Sequence, residues 1–110
     1  MKRTLEEIQS AVDKWIQQNG GYWSPLGILA AVMEELGEIS REILHLTSIK
    51  AKKPGEPLKS LGSEMGDLLY AMICMANSYD ISLDDAIAQS MKKYQTRDIN
   101  RFTKEKEDNN

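Results

Sequence analysis

Apolar residues return along this chain at three- and four-residue steps, and turn-forming stretches interrupt them each time. Leu5, Ile8, Val12, Trp15 and Ile16 make the first stripe. Thr4 and Glu7 ahead of it have capping-box spacing, and Asn19, Gly20 and Gly21 stop it. A second helix is predicted from "SPLG", with Ser24 as N-cap and Pro25 at the first helical position. Its stripe is Leu29, Val32, Leu36, Ile39, Ile43 and Leu46, ending near Thr47. Pro54, Gly55 and Pro57 then exclude a continuous helix. A third stripe, Leu61, Met65, Leu68, Met72, Met75 and Tyr79, predicts a helix from about Leu58 to Tyr79. Ser82 caps a fourth, with Asp84 and Asp85 in its first turn, expected to end near Thr96. The expectation is an all-α domain over residues 1–102, with 103–110, "TKEKEDNN", as a flexible polar tail.

Two of these helices carry acids beside their apolar stripes. "AAVMEELGEIS" holds Glu34, Glu35 and Glu38, and "LGSEMGDLLYA" holds Glu64 and Asp67. A helix advances roughly 100° per residue, which puts Glu35 about 70° and Glu38 about 130° from the centre of the second stripe. By the same advance Glu64 lies roughly 80° and Asp67 about 140° from the third, in the same rotational sense. If the two helices fold as an antiparallel hairpin, stripe against stripe, both pairs emerge on one edge at similar depth. Four converging carboxylates are costly unless neutralised, and a hard divalent cation such as Mg²⁺, or Mn²⁺ in its place, prefers oxygen ligands. Glu34 falls on the outer side of its helix, where it is solvated or acts from behind the ligands.

Composition narrows the reading. The formal net charge is −3 and the pI near 5.2, which disfavours binding to a nucleic-acid polymer by bulk charge. The single cysteine, Cys74, has no partner for a disulfide or a thiolate zinc site and reads as a small core residue. "MKRTLEEIQ" has no apolar leader and no run reaches membrane-spanning length, so no membrane partner and a cytoplasmic location are expected. At 110 residues the core is small, and a second copy would help to bury apolar surface.

The arrangement "EELGE", 25 residues, then "EMGD" resembles the MazG-like nucleotide pyrophosphohydrolases of the all-α NTP pyrophosphatase superfamily. The similarity extends from "TLEEIQ" through "GDLLYAMICMA" to "KKYQTRD". It implies a central antiparallel helical hairpin bundled with the same hairpin of a second subunit, in a homodimer or homotetramer. It also implies Mg²⁺-dependent hydrolysis of a nucleoside triphosphate to the monophosphate and pyrophosphate. By motif position Glu35, Glu38, Glu64 and Asp67 match the metal-binding acids, and Glu34 the first acid of the pattern. Glu38 or Glu34 would orient or deprotonate the attacking water. The alternatives are a phosphoribosyl-ATP pyrophosphohydrolase and a non-catalytic helical module that uses metal structurally.

Several other residues are candidates. Lys93 and Arg97, with Arg101 beyond, share one face and could reach the outer phosphates, or could complement the helix dipole. Asn77 could bond a sugar or phosphate. Trp23 is a candidate for stacking on the base, with Tyr22 beside it, whereas Trp15 fits the core side of the first helix. Lys50, Lys52 and Lys53 read as a solvated loop that could close over substrate. Glu42 and His45 have the E-x-x-H spacing of di-iron bundles, but the chain has one histidine only.

Overall fold

The computed structural model describes residues 2–47 and 61–108, with 100–108 described in backbone only. The predicted lysines 50, 52 and 53 lie outside the described residues. Four helices follow in order: α1 (Leu5–Gln18), α2 (Pro25–Leu46), α3 (Leu61–Ser78) and α4 (Leu83–Asp108). There is no strand among the described residues.

The helix ends follow from their local chemistry. At α1 the capping box is complete: Glu7 N–H donates to Thr4 Oγ1 at 3.1 Å, and Thr4 N–H to Glu7 Oε1 at 3.1 Å. The helix closes where Gly21 N–H returns to the Ile16 carbonyl at 2.9 Å, with Gly20 and Gly21 at φ +109° and +84°. Such left-handed backbone favours glycine, so the Gly-Gly pair sets the reversal into α2. Ser24 Oγ accepts from Gly27 N–H at 3.1 Å and Pro25 opens α2. Ser82 Oγ does the same for Asp85 N–H at 3.2 Å. Asp84 reaches across to accept from Glu6 N–H at 2.9 Å, so it supports the start of α1 as well as its own helix.

α4 continues to Asp108 instead of ending near Thr96. No Gly or Pro interrupts residues 97–108, and Lys and Glu in this stretch are good helix formers.

α2 and α3 form the main helix pair, α1 packs on α3, and α4 on α1. Glu35 converges with Glu64 and Asp67, while Ile28 and Ala31 share a cavity with Ala71 and Cys74. Rising numbers on α2 therefore meet falling numbers on α3, and the hairpin is antiparallel. A buried amide joins the other elements. Gln9 of α1 donates from Nε2 to Asn77 Oδ1 at 3.0 Å and to the Ile81 carbonyl at 2.8 Å. Its Oε1 accepts from Leu83 N–H at 2.8 Å, so one side chain ties α1 to the end of α3 and the start of α4.

One expectation about the hairpin is corrected. α2 does not set its Leu stripe against α3; its buried face carries Ile28 and Glu42, with the half-buried Glu35 midway between them at seven-residue spacing. The stripe residues Leu29, Leu36, Ile43 and Leu46 remain 43–58% exposed, and Met65, Met72 and Tyr79 of α3 are similarly open. Glu64 and the half-buried Glu35 thus point into the helix pair, while Asp67 stays open. The Leu stripe, one residue further round, is left for something else.

Candidate active site

Glu35 projects from the middle of α2, and Glu64 and Asp67 from the first turns of α3. One carboxylate oxygen from each lies within 4.8 Å of the other two. Glu64 is 4% exposed, Glu35 half-buried and Asp67 open. Burial, with the negative charges of Asp67, Glu64, Glu34 and Glu38, pushes the Glu35 carboxyl above its ordinary value of 4.5. The shift records a desolvated carboxyl with like charges held close to it. The donor set fits a hard divalent ion: bonds of about 2.1 Å place neighbouring oxygens roughly 3 Å and opposite ones about 4.2 Å apart. The observed spacing, within 4.8 Å, reaches slightly beyond that range.

Glu38 lies one turn beyond Glu35, half-buried, and is outside the three-oxygen cluster. Glu34 is exposed on the outer side, as its angle on the helix predicts. Both are near enough to raise the Glu35 carboxyl.

A cavity of about 510 Å³ opens beside the acids, and Glu35 and Asp67 form part of its wall. The rest of the lining includes Trp15, Tyr22, Trp23 and Tyr70, with Cys74 and Ile28 at the base. Trp23 is 72% exposed, so its ring stands free at the rim. Trp15, assigned to the core from its helical phase, instead faces this cavity and is largely exposed. α1 packs on α3 through the Gln9 side, which leaves Trp15 and Ile16 facing the opening. Tyr22 is held in place by its hydroxyl, which donates to Asp13 Oδ1 at 2.6 Å; burial and that bond push its pKa up to about 12. Sequence reasoning passed over Tyr70 and Asp13. Tyr70 lies three residues from Asp67, one turn on, and that spacing was the available signal.

The remaining candidates stand elsewhere. Asn77 does not line this cavity; its Nδ2 donates to the Gln9 carbonyl at 3.0 Å and its Oδ1 accepts from Gln9. Lys93 and Arg97 are exposed on α4, flanking Tyr94 with their cationic groups 4.9 and 4.5 Å from its ring centre. Arg97 also pairs with Asp98 at 2.9 and 3.1 Å. Neither lines the cavity beside the acids.

The fold and site are those of an all-α helix pair that holds a trio of carboxylates beside an aromatic cavity. Residues 23–102 match the MazG nucleotide pyrophosphohydrolase domain. The chain is 45% identical to the uncharacterized protein YpjD of Bacillus subtilis over 106 residues, 96% of each chain. The crystal structure of YpjD superposes with a TM-score of 0.75 at 44% identity, covering 86% of this chain and 97% of that one. A Bacillus-conserved MazG protein, described as a nucleotide pyrophosphohydrolase, superposes at 0.72 with 40% identity over 88% and 95% of the two chains. This chain belongs to the MazG nucleotide pyrophosphohydrolase family. Among the described residues no helix is long and apolar enough to cross a membrane.

Proposed function

We propose that this protein hydrolyses nucleoside triphosphates to the monophosphate and pyrophosphate with Mg²⁺, in nucleotide-pool housekeeping. The observation that carries this reading is the shared wall: Glu35 and Asp67 belong both to the carboxylate cluster and to the aromatic cavity. A base stacked on Trp23 and the neighbouring rings would leave its phosphates over the acids. Glu35, Glu64 and Asp67 would hold Mg²⁺, which when bound neutralises phosphate charge and favours attack by water. Glu38, one turn away and outside the trio, is assigned to ordering that water and taking its proton. Glu34, exposed behind the site, adds negative charge without touching substrate.

A second copy of the chain completes the reading. The exposed stripes of α2 and α3 are continuous with the hairpin that carries the acids, and Ile87, Met91 and Ile99 on α4 are open as well. Pairing hairpin on hairpin would cover these faces. Lys93 and Arg97, remote from the cavity of their own chain, are proposed to meet the outer phosphates of a nucleotide held by the partner.

The test is release of pyrophosphate by the purified protein with Mg²⁺, across canonical and modified ribo- and deoxynucleoside triphosphates. Phosphoribosyl-ATP is included as a rival substrate, and Asp67→Asn serves as control. Turnover of nucleoside triphosphates that disappears in Asp67→Asn is expected. Turnover of phosphoribosyl-ATP alone, or Mg²⁺-dependent stabilisation with no turnover of any substrate, would overturn the reading.

A further inference from the structure

Seven and ten residues along α2 from Glu35 lie the two members of a second polar pair that the pyrophosphohydrolase reading does not use. The side chains of Glu42 and His45 are each 4% exposed, one turn apart on the same helix. Their nearest approach, Nδ1 to Oε1, is 3.9 Å, beyond the roughly 2.7–3.2 Å of a hydrogen bond. Glu42 Oε2 and His45 Nδ1 are both buried and, among the described residues, have no hydrogen-bond partner. A buried carboxylate oxygen without a donor is costly, and so is a buried imidazole nitrogen without a partner. A cation held between the Glu42 carboxylate and His45 Nδ1 would occupy the nitrogen and neutralise the carboxylate.

We propose that Glu42 and His45 form a second divalent-cation site, separate from the carboxylate cluster and selective for an ion that takes imidazole, such as Zn²⁺, Co²⁺ or Mn²⁺. The spacing is suitable. Two bonds of about 2.1 Å at the tetrahedral angle hold their donor atoms roughly 3.4 Å apart, so the observed 3.9 Å needs a shift of only a few tenths of an ångström. A carboxylate and an imidazole at i and i+3 is also the ligand pairing of di-iron helical bundles. Imidazole disfavours Mg²⁺, which keeps to oxygen ligands, so the two sites would sort ions by chemistry. Glu42 is seven residues from Glu35, about 10 Å along the axis at 1.5 Å per residue. That is well beyond the roughly 3.5–4 Å of a paired two-metal centre, so the ion acts independently of the hydrolytic one.

His45 is the chain's one histidine, which gives a readout without mutation. Tag-free protein is saturated with Mg²⁺ and titrated with Co²⁺ by calorimetry and visible absorption, and with Zn²⁺ by NMR of the imidazole. One further ion per chain is expected, with the imidazole resonance shifted stoichiometrically by Zn²⁺. Glu42→Gln and His45→Ala should each weaken it more than tenfold, while Asp67→Asn leaves it in place. An imidazole signal unmoved by Zn²⁺ would overturn the site whatever the variants do. So would Co²⁺ binding that Asp67→Asn removes and His45→Ala does not, since the ion would then sit in the carboxylate cluster alone.

Discussion

At the scale of single residues, the site is a problem in charge. Glu35 is raised by burial and by four neighbouring carboxylates, so in metal-free protein it takes up a proton at higher pH than in the unfolded chain. Between its unfolded value of 4.5 and its raised folded value, the native state therefore binds more protons than the unfolded state. Stability then falls as pH rises through that window and grows as pH falls. Within that window metal-free protein should melt higher as the buffer is made more acidic, and Glu35→Gln should flatten that part of the profile. Calorimetry in the presence of a chelator checks both. Asp67→Asn removes one of the charges responsible, so it should leave the metal-free fold as stable as wild type or more so. The same change should lower kcat/KM on the order of 10²-fold or more, the scale of losing one preorganised electrostatic group. A variant that lost activity only through unfolding would fail the first half of that expectation.

At the scale of elements, the sequence was legible wherever local chemistry decides the outcome. The Thr4–Glu7 box, the Ser24–Pro25 start, the Gly-Gly stop and the Ser82 cap all stand where their residue types require. The acid spacing likewise pointed to a meeting of Glu35, Glu38, Glu64 and Asp67, of which Glu38 stands outside the three-oxygen cluster. Which face each helix buries was not legible, because it depends on partners beyond the single helix. The Leu and Met stripes are the most apolar faces, yet α2 and α3 meet through Ile28, Ala71 and the acids. The end of α4 was missed because a polar stretch with no apolar period gives no sign of helix beyond its propensity. Gln9 was hidden for a related reason: nothing in a lone Gln within an amphipathic helix shows that it will bridge three elements. Its removal should matter. Gln9→Ala leaves the Leu83 N–H and the Asn77 carboxamide without their buried partner, at about 1–3 kcal/mol for each. A loss of about 2–5 kcal/mol by urea denaturation is expected on that scale, with kcat affected less than stability. A Gln9→Ala protein as stable as wild type would mean that water replaces the clasp.

For the whole molecule, the exposed apolar faces decide the argument. A chain of this size that leaves Leu36, Ile43, Leu46, Met65 and Met72 about half open has not finished burying its core. These residues lie on the two helices that carry the acids, so an interface built on them would also hold the site's geometry. Leu36 is the informative position, since it adjoins Glu35 in sequence yet points away from the cluster, at 55% exposure. Covering its remaining open half is worth about 1 kcal/mol per copy, and a two-fold interface counts it twice. Leu36→Asp adds the cost of burying a charge, so dimer dissociation should strengthen on the order of 10²-fold or more. Sedimentation velocity should show wild type as a dimer or larger and Leu36→Asp shifted to monomer at micromolar concentration. Activity should fall with the loss of the dimer and return as protein concentration is raised, since every cluster carboxylate is still present. If Leu36→Asp sediments like wild type, the hairpin stripe is not the interface. The role assigned to Lys93 and Arg97 across a subunit boundary would then lose its basis.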